Sequence, residues 1–323
     1  MTEQLSLPGL IRALGRGKKG SRNLTRAEAH YAMSSILDGT MTQAQLGALL
    51  MLMRVKEETP EEIAGLVDAC HDALPHPEMN RVDVNWPAYA GKKKQPSWYL
   101  LAARLLADNG IRVLLHGGGE HTAGRQYARQ ICPLINIQVV DTLDSAADVV
   151  NQQGIAYIAV KDVLPVMSDL IDMKAELGLR SPVNTLVRHL NPLNARLTLQ
   201  GMFHPPYMAI HHEAAILLGQ QQNIVMKGDG GEFEVRPDSD TRIAVSDQSE
   251  PMTLPPVFNQ RAVRPDQVQA EPLTELWNET EHNSYGEAAV CQTAALVLSQ
   301  LEGLPIETAK QQTLNWWQNR GAL

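Results

Sequence analysis

IRVLLHGGG (residues 111–119) and IQVVDTLDSAADVVNQQGIAYIAV (residues 137–160) are the stretches that decide the fold. Residues 111–115 form a short apolar run closed by His116 and three glycines, with a helix expected from about Thr122. Residues 137–140 are a second apolar run, residues 145–152 carry helical spacing, and residues 155–160 are a third run. Strand, helix and strand at this spacing predict parallel βαβ units with right-handed crossovers.

Downstream, residues 164–176 and 182–189 read as longer helices that stop at Asn191-Pro192, because the residue before a proline disfavours the helical region. A strand near residues 197–199, a helix over 207–218 and a strand over 224–226 extend the alternation. The proline-rich segment 247–272 reads as a long surface connection, and residues 288–301 and 306–319 as closing helices. Upstream, three capping boxes mark helix starts: Thr25 with Glu28, Thr42 with Gln45, and Thr59 with Glu62, the last with Pro60 at the first helical position. Three such short helices over residues 25–74 bury little apolar surface alone and need a larger body to pack on.

The chain has 323 residues, 44% of them apolar, enough for a substantial core. No stretch approaches the roughly 20 apolar residues that span a bilayer. The opening MTEQLSLPGLIRALGRGKKGSRN has bases but no apolar run before a small-residue cleavage site, which argues against secretion. Cys70, Cys132 and Cys291 are scattered and odd in number, which favours reduced thiols and a cytoplasmic home.

Net charge is −8, yet the bases are segregated. Arg12, Arg16, Lys18, Lys19, Arg22 and Arg26 form one acid-free run, and Lys92, Lys93, Lys94 and Arg104 a second. Arg180, Arg188 and Arg196, joined by His189, His204 and His211, form a third. Local potential, not net charge, governs attraction of a polyanion.

Four motifs occur in a telling order: Leu24-Thr-Arg-Ala-Glu-Ala29, Glu57-Glu-Thr-Pro-Glu-Glu-Ile-Ala-Gly-Leu66, Glu176-Leu-Gly-Leu-Arg180 followed by Asn184 and Asn191-Pro192, and Asn223-Ile-Val-Met-Lys-Gly-Asp-Gly-Gly-Glu232. Over about residues 24–245 this order resembles the anthranilate phosphoribosyltransferase family (glycosyltransferase family 3) and, more distantly, the pyrimidine nucleoside phosphorylases. The resemblance implies an α/β fold: a small helical domain plus a larger α/β domain with a mixed, mainly parallel sheet flanked by helices. It places residues 1–75 in the helical domain, joined by helices near 164–190, and residues 76–323 in the α/β domain. It also implies a cleft between the two and a homodimer through the helical domains.

The family's phosphate machinery is altered in this sequence. Its Gly-Thr-Gly-Gly-Asp loop falls on Pro87-Ala-Tyr-Ala-Gly91, with Gly91 as the one glycine left. Ser97 stands at a phosphate-binding asparagine, and a Lys-His-Gly-Asn-Arg run has become Leu115-His116-Gly117-Gly-Gly119, without either cation. The metal motif Asp-Gly-Leu-Asp-Glu is Asp229-Gly-Gly-Glu232-Phe233, which keeps one acid; Lys227 precedes it. Glu234 is a weak substitute, since along a strand it points away from Phe233. The acceptor-site arginine maps to Lys174, which lacks the bidentate fork of arginine. With cradle, cations and one metal acid gone, Ser97, His116 and Lys174 read as a vestigial cleft, and Gly91, Gly117, Lys227 and Glu232 as vestigial phosphate and metal loops.

The pattern is most like a nucleic-acid-binding, non-biosynthetic subfamily of these transferases. The expected function is therefore sequence-tolerant binding of single- or double-stranded DNA or RNA through a basic groove. Its expected ligands are Arg12, Arg16, Lys18, Lys19, Arg22, Arg26, Lys92, Lys93, Lys94 and Arg188. Trp86, Tyr89 and Trp98 are candidate stacking faces, with core packing preferred for Trp98. No metal or other cofactor is expected, save Mg²⁺ if transferase activity survives. The alternative is a phosphoribosyltransferase or phosphorylase acting on an unidentified substrate. His211-His212-Glu213 lacks the second histidine of a zinc peptidase, since Ile216 stands at that position.

Overall fold

Helix α1 spans Leu7–Gly15, α2 Arg26–Leu37, α3 Gln43–Lys56 and α4 Pro60–Asp72 in the computed structural model, which describes residues 5–17, 19–77, 82–120, 122–220, 222–246, 250–265 and 267–323. The three threonine capping boxes form as read, each threonine side chain accepting from the N3 backbone N–H while the N3 side chain accepts from the threonine N–H. Helices α2 and α4 cross almost backbone to backbone. A Cβ on Gly65 would fall 2.1 Å from the Arg26 carbonyl oxygen, so only glycine allows the approach. Helix α1 was not anticipated, because only Arg12 of the basic run lies in it and no capping box marks its start; Leu10 and Leu14 are buried in the helical layer.

The sheet comprises β1 (Val84–Ala88), β2 (Val113–Gly117), β3 (Gln138–Val140), β4 (Ile155–Ala159), β5 (Leu197–Met202), β6 (Gln222–Lys227), β7 (Thr241–Val245) and β8 (Met252–Leu254). Its order is β3-β4-β2-β1-β5-β6-β7-β8, with the first six strands parallel and β7 and β8 added antiparallel. Every residue of β1, β2, β4 and β5 is buried, as expected of parallel strands covered on both faces. The architecture is a helical N-terminal domain plus a larger α/β domain with a mixed, mainly parallel eight-stranded sheet.

Two apolar layers sandwich the sheet. One holds α5 (Trp98–Asp108), the helices Glu271–Trp277, Ser284–Glu302 and Ile306–Gln318, and the aromatic group Trp86, Trp98, Tyr99 and Phe233. The other merges α1–α4 with residues 143–150, 164–171 and 183–195. Trp317 packs edge-on to Trp277 inside the first layer. Cys70, Cys132 and Cys291 are free and buried, and burial lifts the Cys70 and Cys291 thiols to about 12. Among the described residues no helix is long and apolar enough to cross a membrane.

Several element readings are corrected. The helix expected from Thr122 starts at Ala128, and the run 164–176 breaks into Pro165–Asp172 and Lys174–Leu177. Segment 182–189 is one α-turn, Val183–Leu186, followed by a 3₁₀ turn. The connection 247–272 contains β8.

Candidate anion-binding cleft

In a parallel sheet, ligands collect where neighbouring strands send their connections to opposite sides. Here that switch lies between β1, which leads to β2, and β5, which leads to β6. The loops beyond the C-terminal ends of β1, β5 and β6 therefore converge. Gly91 adopts φ 68° in the first of these loops and Gly230 φ 71° in the third. A Cβ on Gly230 would stand 2.8 Å from the Gly91 carbonyl oxygen, so the two loops touch through bare backbone.

The carboxylate of Glu232 locks that contact. Its Oε1 accepts from the backbone N–H of Ala90 at 2.7 Å and of Gly91 at 2.5 Å. These are the amides of the segment that the resemblance assigns to a diphosphate. A carboxylate on two backbone donors is the arrangement by which such loops hold anions, supplied here by the protein itself. Glu232 is buried; burial raises its pKa, opposed by the Gly91 N–H, Arg188, the Ala90 N–H and Lys92.

Next to this plug lies a buried cation. Lys92 is fully buried, its Nζ 2.6 Å from Glu234 Oε1 and 3.5 Å from Asp229 Oδ2. The second oxygen of Glu234 accepts from Tyr99 N–H at 2.8 Å. The Lys92 backbone pairs with Gln126 in an isolated antiparallel bridge, N–H to O at 2.9 and 2.8 Å. Burial pushes the Glu234 carboxyl up, and the Lys92 ammonium pulls it back. Phe233, at the place of the second metal acid, packs edge-on against Trp86 with ring centres 5.6 Å apart.

Magnesium does not fit this donor set. Glu232 Oε1 is spent on amides and leaves Oε2 as one unpartnered oxygen, Glu234 and Asp229 face an ammonium, and Phe233 offers nothing. A magnesium ion would find one free carboxylate oxygen here rather than a pair of acids. No group of three metal-ligating side chains occurs among the described residues.

Beside the plugged loops, a cavity of about 160 Å³ opens between the helical domain and the sheet, lined by Arg54, Glu58, Arg180, Ser181, Arg188 and His204 among others. Arg54 Nη1 donates to Tyr207 Oη at 3.1 Å. Arg188 donates from Nε to Gly201 O at 3.0 Å and from Nη1 to Asn184 O at 2.5 Å, which fixes its fork at the cleft floor. Arg125, at the edge, donates from Nη1 to Ala90 O at 2.7 Å. Burial lowers the Arg188 pKa, with Arg180 and Arg125 adding to the effect and Glu232 opposing it. Arg54, Arg180 and Arg188 thus line one cavity, which makes its wall locally electropositive.

The anticipated site residues distribute differently. Ser97 is buried with Oγ donating to Gln126 Oε1 at 3.0 Å. His116 is buried 2.9 Å from Tyr89 Oη, and burial presses its pKa to about 3, so it is neutral. Lys174 starts a short helix outside the cleft lining, Gly117 packs on the Ala88 carbonyl, and Lys227 is exposed at the end of β6. The residues expected to line a basic groove take different places within one chain. Lys92 is internal, Arg188 belongs to the cleft, Arg22 forks onto Glu28 at 2.6 Å, and Arg26 onto Asp68 at 2.6 Å. Arg12, Arg16, Lys19 and Lys93 are exposed, Lys94 lies 3.9 Å from Asp229, and Lys18 falls outside the described residues. Trp86, Tyr89 and Trp98 are buried and offer no stacking face. His211 and His212 hydrogen-bond to Gln200 and Asn223. Sequence reasoning missed Arg54, a single residue of α3, and Glu58 and Arg125, single residues in loops.

Residues 8–73 match the glycosyl transferase family, helical bundle domain. The anthranilate phosphoribosyltransferase of Aquifex aeolicus (strain VF5) is 26% identical over 242 residues, 72% of this chain and 69% of that one. The solved anthranilate phosphoribosyltransferase of Thermus thermophilus superposes with a TM-score of 0.80 at 19% identity, over 96% of this chain and 94% of that one. The Saccharomyces cerevisiae enzyme in complex with PRPP and Mg superposes with a TM-score of 0.76 at 14% identity, over 98% and 97%. The fold is that of these solved structures, and the sequence is anthranilate phosphoribosyltransferase-like, with residues 8–73 matching the helical bundle domain of the glycosyl transferase family.

Removing one partner of a buried ion pair strands the other charge. Lys92→Met is expected to cost about 3–5 kcal/mol in denaturant unfolding, and Lys92→Met with Glu234→Met to recover most of it. Wild-type stability in the single variant would show that the ammonium is not what holds these acids.

Proposed function

We propose that this phosphoribosyltransferase-like chain binds a phosphate-bearing ligand in the arginine cleft, without a divalent metal. The observation that carries this reading is the Glu232 carboxylate seated on the Ala90 and Gly91 amides beside a cavity walled by Arg54, Arg180 and Arg188. In the similar yeast structure the ligands are PRPP and Mg. In this chain the Ala90 and Gly91 amides are taken by Glu232 and Phe233 stands at the place of the second metal acid, which disfavours transfer from a diphosphate. A guanidinium fork needs neither, because it recognises a phosphate directly through paired N–H donors.

Calorimetry on one preparation tests this. Ribose 5-phosphate is expected to bind with the same affinity in excess EDTA as in millimolar Mg²⁺, and Arg180→Ala to weaken it about tenfold, the loss of one or two charge-assisted hydrogen bonds. Phosphoribosyl diphosphate that binds only with Mg²⁺, and turns over with an acceptor, points instead to an ordinary transferase.

A second reading, sequence-tolerant nucleic-acid binding, is supported by one local feature. Arg12, Arg16 and Lys19 are exposed, and Arg12, Arg16 and Arg22 edge a hollow of about 360 Å³ in which the acid Glu28 is taken up by Arg22. Anisotropy with unrelated single-stranded oligonucleotides is expected to give log K falling with log salt. Replacing Arg12, Arg16 and Lys19 by Ala is expected to reduce that slope by roughly 0.7 per lost contact. A slope unchanged by the triple substitution removes this reading.

A further inference from the structure

An acid sits among the arginines of the cleft, and its placement has a structural cause. Helix α3 ends at Lys56, and Glu57 follows at φ 63° and ψ 136°, a left-handed conformation rare outside glycine. That turn swings Glu58 into the protein, where it is 4% exposed and lines the cavity. Strained residues of this kind persist where surrounding structure enforces them, and they gather at ligand sites.

The neighbouring Glu62 shows what a structural carboxylate looks like in the same loop. Its Oε1 accepts from Leu24 N–H at 2.8 Å and its Oε2 from Thr59 N–H at 2.9 Å. Glu58 Oε2, by contrast, has no hydrogen-bond partner among the described residues, and nor does the Ser181 Oγ that lines the same cavity. Burial raises the Glu58 pKa, against the pull of its own backbone N–H and of Arg54. A buried acceptor without a partner is costly, so such a group on a cavity wall marks a place where a ligand supplies the donor.

We propose that Glu58 determines specificity in the cleft: its carboxyl accepts a hydrogen bond from an O–H or neutral N–H of the bound anion. The cleft thereby selects phosphate-bearing ligands that carry a donor over those that do not. A cationic donor is disfavoured because Arg54, Arg180 and Arg188 surround the same space. The inference rests on the anion-binding reading given above. It assigns Glu58 to recognition of the ligand's neutral end and leaves the phosphate to the guanidiniums.

The test compares glycerol 3-phosphate with propyl phosphate, equal in charge and similar in length, by calorimetry. Wild type is expected to bind glycerol 3-phosphate about five- to tenfold more tightly, the worth of one hydrogen bond to a group otherwise left unsatisfied. Glu58→Ala is expected to bring the two affinities together without weakening propyl phosphate. Glu58→Met, which keeps the side-chain length without an acceptor, is expected to remove the preference likewise and serves if the alanine variant unfolds, whereas Glu58→Gln, which keeps a carbonyl acceptor, retains most of it. Equal affinities in wild type, or a preference that survives Glu58→Ala, overturn the role of Glu58 while leaving the anion cleft intact. Binding of neither probe overturns the cleft reading and this inference with it.

Discussion

The pair of hydrogen bonds from Ala90 and Gly91 to Glu232 is the constraint around which the site is organised. On a scaffold of this kind, loops at the strand ends stay open so that an incoming anion can meet converging amides. Here the anion is covalently part of the chain, and the loop beyond β6 must lie close enough to deliver it. That closeness explains why glycines remain at Gly91, Gly228 and Gly230 although no phosphate cradle does: a Cβ at Gly228 would sit 1.5 Å from the Glu232 carbonyl oxygen. The glycines serve loop-on-loop packing.

A buried carboxylate plug changes what surrounds it. Acids that would face a metal need another counter-charge, and Lys92 supplies it from the adjacent turn, held between Glu234 and Asp229. Phe233 then joins the aromatic layer with Trp86, converting a ligand position into core. These changes form one linked set, since an ammonium there without the acids, or acids without the ammonium, would leave a charge unpaired in low dielectric.

Much of the fold was legible because its signals are local. Threonine capping boxes, apolar runs of strand length and the strand–helix spacing over residues 111–160 report directly on backbone conformation. Loss of the glycine loop was legible too, since Pro87 and Tyr89 stand where flexible backbone is needed. The destination of individual charges was not. Lys92, Lys93 and Lys94 look alike in sequence, yet one is fully buried against Glu234, one exposed and one partly covered, a difference that depends on acids distant in the chain. Glu234 was discounted on strand alternation, but no strand covers residues 228–240, so the alternation rule did not apply. The cleft arginines come from α3, a loop before the helix Ala128–Ile131 and the segment 180–188, and only tertiary folding brings them together.

Amide hydrogen exchange at Ala90 and Gly91, followed by NMR in the ligand-free protein, addresses the internal plug most directly. Both amides should be protected by the Glu232 carboxylate, lose protection in a Glu232→Ala variant, and show no change when phosphoribosyl diphosphate and Mg²⁺ are added to wild type. Rapid exchange in the free protein that slows on adding the diphosphate and metal would mean that the cradle is open and meant for a ligand, contrary to this account.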